Sequence, residues 1–180
     1  QDGPRAHRPD DMEKIEACRA IAAQIDWDCD VLRNYAPENM GCGARPYSGI
    51  SWVFEHVDRA MILEDDCVPG PSFFPFCEEL LERYHADQRV IMISGLNHHV
   101  EHDCGTYSYC FAKTGAIGGW ATWRDRWQHY DFDVAQLDDA YLIRLLAQAT
   151  PRPVIRRRMA AWLQTRAARL NGQNLPYWDV

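Results

Sequence analysis

Hydrophobic and polar positions alternate along the chain with two periods, and helix-like stretches take turns with short apolar runs over the first half. Asp10-Asp11 can cap a helix over 12–24 that carries Met12, Ile15, Cys18 and Ala22 on one face, with Ile25 near its end. Residues 27–32 then read as a strand, and a polar loop over 34–43 leads to a second helix in which Ile50, Val53, Phe54 and Val57 keep helical spacing. That helix feeds the apolar run Ala60-Met61-Ile62-Leu63, a third helix over 73–84 follows, and Val90-Ile91-Met92-Ile93-Ser94 is a further strand. The rhythm is βαβ. It predicts an α/β fold with a mostly parallel sheet covered by helices, in which the 61–63 and 90–94 strands are neighbours. Ligands gather at the strand carboxyl ends of such sheets, so Glu64-Asp65-Asp66 and the loop Ser94-Gly95-Leu96-Asn97 belong on the functional edge.

The second half changes character. Residues 106–111 alternate as a strand, Gly115, Gly118 and Gly119 break the chain, and helices are expected over 122–130, 140–148 and 154–170. No internal repeat or linker interrupts the 180 residues, which suit one globular domain with a sizeable core.

A formal charge of −7 argues against a general nucleic-acid surface. The basic positions Arg152, Arg156, Arg157, Arg158, Arg166 and Arg169 read first as a solvated helix face, with peripheral contact to anionic lipid as the alternative. The seven cysteines are widely spaced without a Cys-x-x-Cys pair, so no zinc knuckle is readable. Several, including Cys18 and Cys77, sit inside apolar patterns where a thiol behaves as a small hydrophobe, which suggests a reducing, cytoplasmic setting. The stretch from His98 to Cys104 holds His, Asp and Cys, but adjacent His98 and His99 point apart in an extended segment; a solvated or substrate-side loop is the first reading and a transition-metal site the second.

Glu64-Asp65-Asp66, delivered by a short apolar strand, is the main candidate for chemistry. Carboxylate oxygens are what Mg²⁺ and Mn²⁺ prefer, and one or two of them plus a diphosphate complete an octahedral shell. A polar turn leading into a helix, through Asp66-Cys67-Val68-Pro69-Gly70-Pro71-Ser72, is the competing reading.

Five segments occur in an order that resembles bacterial GT-A-fold glycosyltransferases: Asp2-Gly3-Pro4-Arg5, Asn39-Met40-Gly41-Cys42, Ile62-Leu63-Glu64-Asp65-Asp66-Cys67-Val68-Pro69, Phe73-Phe74-Pro75-Phe76-Cys77 and Gly119-Trp120-Ala121-Thr122-Trp123-Arg124. The match, over residues 2–135, is to the group labelled hemolysin-like sugar transferases and, more distantly, to the animal N-acetylglucosaminyltransferase that initiates hybrid and complex N-glycans. The resemblance implies a metal-dependent enzyme that moves a sugar from a nucleoside-diphosphate sugar, with UDP favoured, to a glycan or lipid-linked hydroxyl acceptor. Asp66 would hold Mn²⁺ or Mg²⁺ against the donor diphosphate, and Asp65 and Glu64 would contact sugar or ribose hydroxyls. Asp2 would hydrogen-bond the donor base, or else form an Asp-Gly turn. Arg45 would reach a donor phosphate or remain a surface arginine, and Trp120 would line the sugar or acceptor pocket, whereas Trp123 and Trp127 read as core.

Tyr177-Trp178-Asp179 resembles the family step that carries the catalytic base, which makes Asp179 the candidate to take the acceptor proton in an inverting transfer; a disordered terminal acid is the alternative. The resemblance also implies a strand–helix unit ahead of Asp2 and segments after Asp179 that this sequence lacks, so residues 1–180 are expected to form one GT-A-like domain truncated at both ends. Two other functional classes stay open: a non-catalytic nucleotide-sugar-binding remnant and a divalent-cation-stabilised interaction module. The expected location is cytoplasmic, with peripheral contact at the inner membrane as a variant.

Overall fold

The computed structural model describes residues 1–97, 101, 103–113, 115–132 and the isolated positions 140, 141, 144, 148, 153 and 157. Its elements are α1 (Asp11–Ala22), α2 (Gly41–His56), β1 (Arg59–Ile62), α3 (Phe73–Arg83), β2 (Ile93–Ser94), β3 (Trp120–Trp123) and the single turn α4 (Arg124–Trp127). The helices expected over 140–148 and 154–170 fall outside these residues apart from isolated positions, as do five of the six arginines between 152 and 169, Arg157 being the exception.

The three strands form a mixed α/β core, and their order corrects the sequence reading. β3 lies between β1 and β2 and pairs antiparallel with both. The 61–63 and 90–94 segments are therefore not neighbours, and among the described residues the sheet is antiparallel rather than mostly parallel. One part of the expectation survives in another form. Because β1 and β2 both oppose β3, they run in the same direction; Ile62 and Ser94, at their ends, both pair with Trp120. The triplet and the Ser94–Asn97 loop thus leave the sheet at one edge.

Helices cover both faces. On one, α3 packs Phe73, Cys77, Leu80 and Leu81 against Ile93, Ala121 and Trp123. On the other, α2 supplies Ile50 and Phe54, which meet Trp120 and Trp127, with Ala60 and Ile62 beside them. Successive side chains of a strand point to opposite faces, so β1 sends Met61 to the α3 layer and its neighbours Ala60 and Ile62 to the α2 layer. Both faces being covered, all four β3 residues are buried, which is why Trp120-Ala121-Thr122-Trp123 carries no polar alternation. The polar member, Thr122, is satisfied by donating its hydroxyl to Ile91 O at 2.7 Å.

The 122–130 helix expected from the sequence begins two residues later and is one turn long, because residues 122 and 123 belong to β3. Arg126 in that turn is buried. Its guanidinium lies over the Trp123 ring at 4.5 Å and donates to Tyr84 O and His85 O, placing a cation where α3 leaves unpaired carbonyls. Trp123 Nε1 donates to Leu81 O at 3.0 Å in the same layer.

Two predicted strands are absent from the described residues: 27–32 and 106–111 have irregular backbone. The apolar face assigned to α1 is also not buried. Met12 and Cys18 are exposed, and Asp11 is the buried residue of this helix. α1 is held by polar contacts instead: Arg5 grips Asp11 through Nε and Nη2, each at 2.7 Å, and Arg19 lies over the Tyr35 ring at 4.2 Å. The Arg5 hydrogen bonds draw the Asp11 carboxyl well below the usual carboxylate range.

Candidate functional site

β1 ends at Ile62, and the next five residues turn sharply. Cys67 N–H donates to Glu64 O at 3.1 Å, which folds the triplet into a bend between β1 and the entry to α3. Glu64 is half-buried with its Oε1 inside the protein, whereas Asp65 and Asp66 are exposed. The Cys67 thiol donates to Asp66 Oδ1 at 3.7 Å, and among the described residues neither aspartate forms a salt bridge. The strand thus holds the bend while two carboxylates stay exposed.

The wall beside them is made of glycine. Gly95 donates its N–H to Gly119 O at 2.8 Å, joining the chain after β2 to the chain before β3. Phe73, at the start of α3, fills the space over both: a Cβ on Gly95 would lie 2.6 Å from its ring, and one on Gly119 would lie 3.5 Å away. Gly119 has φ +86, a conformation that a side chain at this position would strain. Glycine at 95 and 119 therefore sets how closely β2, β3 and α3 meet at the edge that carries the triplet.

A second group of candidate residues surrounds the start of α2. Asp2 accepts four hydrogen bonds: Oδ1 from the N–H groups of Gly3 and Met40, and Oδ2 from Gly41 N–H and Asn39 Nδ2, all at 2.8–2.9 Å. A carboxylate here takes up N–H groups that the helix leaves unpaired and sits at the positive end of its dipole. Gly3 is pressed on the Glu38 backbone, since an added Cβ would meet Glu38 N at 2.5 Å. Arg45 is half-buried and donates through Nη2 to both Asn34 O and Asn34 Oδ1 at 2.6 Å. Asn34 O also accepts from the Gln1 α-amino group at 2.8 Å, whose pKa is lowered by burial and then by the Arg45 charge. Only Val57 and Asp58 separate α2 from β1, and Ile50 and Phe54 of the helix pack beside Ala60 and Ile62 of the strand.

Trp120 falls in neither group. It is 5% exposed, packed with Ile50, Phe54 and Trp127 in the α2 layer, so its ring does not line an open pocket; Trp123 and Trp127 are core as expected. Asp179 lies outside the described residues, as do His98, His99 and His102. Among the described residues no group of three or more His, Cys, Asp or Glu side chains is placed to hold a metal ion. The same residues contain no helix long and apolar enough to cross a membrane.

A hollow of about 270 Å³ is lined by Tyr47, Ser51, Phe54, Arg124, Trp127 and Tyr130 among others, and its lining includes none of the described candidate residues. The sequence reading missed the Asp2 cap, the Arg45–Asn34 contact and the buried Arg126. For Asp2 the available signal was an acid followed by glycine; the partner lies 39 residues on, and nothing local points to it. Comparison with known proteins finds no matching family model, no matching curated protein and no matching solved structure.

Proposed function

We propose that this chain is the core of a metal-dependent glycosyltransferase that takes a sugar from a nucleoside-diphosphate donor, UDP by preference, to a glycan or lipid-linked hydroxyl. The observation that carries the reading is the pair of exposed carboxylates, Asp65 and Asp66, which follow β1 on the edge shared by the ends of β1 and β2 and form no salt bridge among the described residues.

Asp66 fits a Mn²⁺ or Mg²⁺ ion that arrives with its diphosphate, because such an ion needs only one or two protein carboxylates and keeps water and phosphate oxygens for the rest. When bound, the cation would offset the negative charge that gathers on the departing nucleoside diphosphate. In this reading exposed Asp65 accepts from sugar or ribose hydroxyls, and half-buried Glu64 fixes the bend that presents both aspartates. Asp2 and Arg45 stand at the start of α2, and in this reading they shape the nucleotide end of the site while holding the N-terminal segment. Asp179 is the proposed base, accepting the acceptor hydroxyl proton as the new glycosidic bond forms.

Calorimetric titration of UDP with Mn²⁺ into the protein and into Asp66→Asn tests the reading. Binding that depends on the metal and weakens at least tenfold in the variant is the expected result. Equal affinity in both, or none in either, would overturn the metal role. A transfer assay on Asp179→Asn, expected to lose roughly 10²–10⁴-fold while UDP affinity holds, separates an enzyme from a nucleotide-sugar-binding remnant.

A further inference from the structure

The connection between β2 and β3 places two cysteines on the arms of one turn. Asp103 Oδ1 accepts the Gly105 N–H at 2.7 Å, Gly105 takes φ +67, and Tyr107 N–H reaches Cys104 O at 3.3 Å, so the chain doubles back directly after Cys104. The returning arm is pinned to α3. The Tyr109 hydroxyl lies 2.6 Å from that of Tyr84 and accepts from Arg83 Nη1 at 3.0 Å, and the Phe111 ring meets Tyr84 at 5.4 Å. Tyr109 and Phe111 both meet Tyr84 on α3, and one residue separates them in the chain. That residue is Cys110, which is exposed, and its thiol is a side-chain partner of half-buried Cys104.

We infer that Cys104 and Cys110 form a reversible disulfide that closes the 104–110 loop and fastens the Tyr109–Phe111 arm along α3. The sequence pattern alone hides this pair, because its spacing is neither Cys-x-x-Cys nor a zinc spacing. The inference is independent of any glycosyltransferase activity.

A small-molecule disulfide such as glutathione disulfide is a sufficient oxidant. Exposed Cys110 gives its proton to solvent, and its thiolate attacks one glutathione sulfur; the glutathione S–S bond breaks and one glutathione thiolate leaves. Cys104 then releases its proton, its thiolate attacks the Cys110 sulfur, and the second glutathione thiolate departs as the Cys104–Cys110 bond forms. Two electrons pass from the cysteine pair to the glutathione disulfide. Burial first, and the Cys110 thiol next, raise the pKa of Cys104, so the second step quickens as pH rises.

Both cysteines lie on one tryptic peptide, residues 90–113, which makes the pair directly readable. The full chain is equilibrated in mixtures of reduced and oxidised glutathione, trapped by alkylation and mapped by mass. The expected result is an internal loss of two hydrogens on that peptide, both thiols protected from alkylation, and full reversal by dithiothreitol. Cys104→Ser should stop at a glutathione adduct on Cys110, and Cys110→Ser should leave Cys104 alkylatable. The inference fails if both thiols stay alkylatable at every glutathione ratio, or if either bonds to a different cysteine.

Discussion

Asp2 Oδ2 accepts the Gly41 N–H at 2.9 Å, tying the second residue of the chain to the first turn of α2. With Gly3, Asn39 and Met40 also donating, all of the carboxylate's capacity for close acceptance is directed inward. Asp2→Asn keeps the shape but replaces one accepting oxygen with an NH₂ group facing N–H donors. We expect a loss of about 1–3 kcal/mol in urea unfolding, since removing one partner of a charge-assisted set leaves the others unsatisfied. An unchanged midpoint would show that Asp2 serves a ligand rather than the fold.

Glycine has opposite values at two positions. Gly95→Ala would drive a methyl to 2.6 Å from the ring of buried Phe73 and 3.0 Å from Gly119 O. At Gly49, within α2, a Cβ meets nothing within 4 Å. Thermal unfolding should therefore show Gly95→Ala destabilised by about 1–3 kcal/mol through overpacking and Gly49→Ala stabilised by roughly 0.5–1 kcal/mol through helix propensity. Two shifts of the same sign would contradict the packing described at the β2–β3 edge.

Cys77 provides a test at alkaline pH. It is fully buried in the α3 layer, and burial pushes its thiol from 9.0 up to about 11. Between those values the unfolded chain releases the proton while the folded protein keeps it, so the stabilising contribution is complete below pH 9 and is lost as pH rises through 11. Urea midpoints measured at pH 8 and pH 10.5 should fall more steeply in the wild type than in Cys77→Ala, by roughly 1–2 kcal/mol in the difference. Comparing slopes removes the constant cost of the small cavity. Parallel pH dependence in the two proteins would mean that Cys77 titrates normally and is not sealed in the core.

The sequence made the helices legible and the sheet illegible, for a physical reason. α2 and α3 carry their buried residues at helical spacing, Ile50 and Phe54 in one and Phe73, Cys77, Leu80 and Leu81 in the other, so a local period reports the buried face. Strand order is not a local property. β3 enters between β1 and β2 through pairing across more than twenty residues, and no period in 90–94 or 120–123 encodes it. In α1 the apolar period misled, because docking there depends on Arg5–Asp11 and Arg19–Tyr35 rather than on buried carbon. At the candidate site the acids after β1 were legible from the apolar run before them. The glycine wall at 95 and 119 and the cap at Asp2 were not, since each depends on a partner distant in the chain.

Trp120 separates core from pocket most directly. Its ring stands 6.2 Å from that of Trp127 at an interplanar angle of 41°, with Ile50 and Phe54 completing the layer. Truncating such a ring costs about 3–5 kcal/mol, comparable with half the stability of a small domain, whereas Phe retains much of the packing. Trp120→Ala should therefore unfold at far lower urea, and Trp120→Phe at moderately lower urea. UDP and Mn²⁺ affinity of folded Trp120→Phe should match the wild type, because the ring is buried in the α2 layer. If Trp120→Ala were instead as stable as the wild type but bound donor or acceptor poorly, the ring would have to reach the ligand, and the α2 layer would need a different centre.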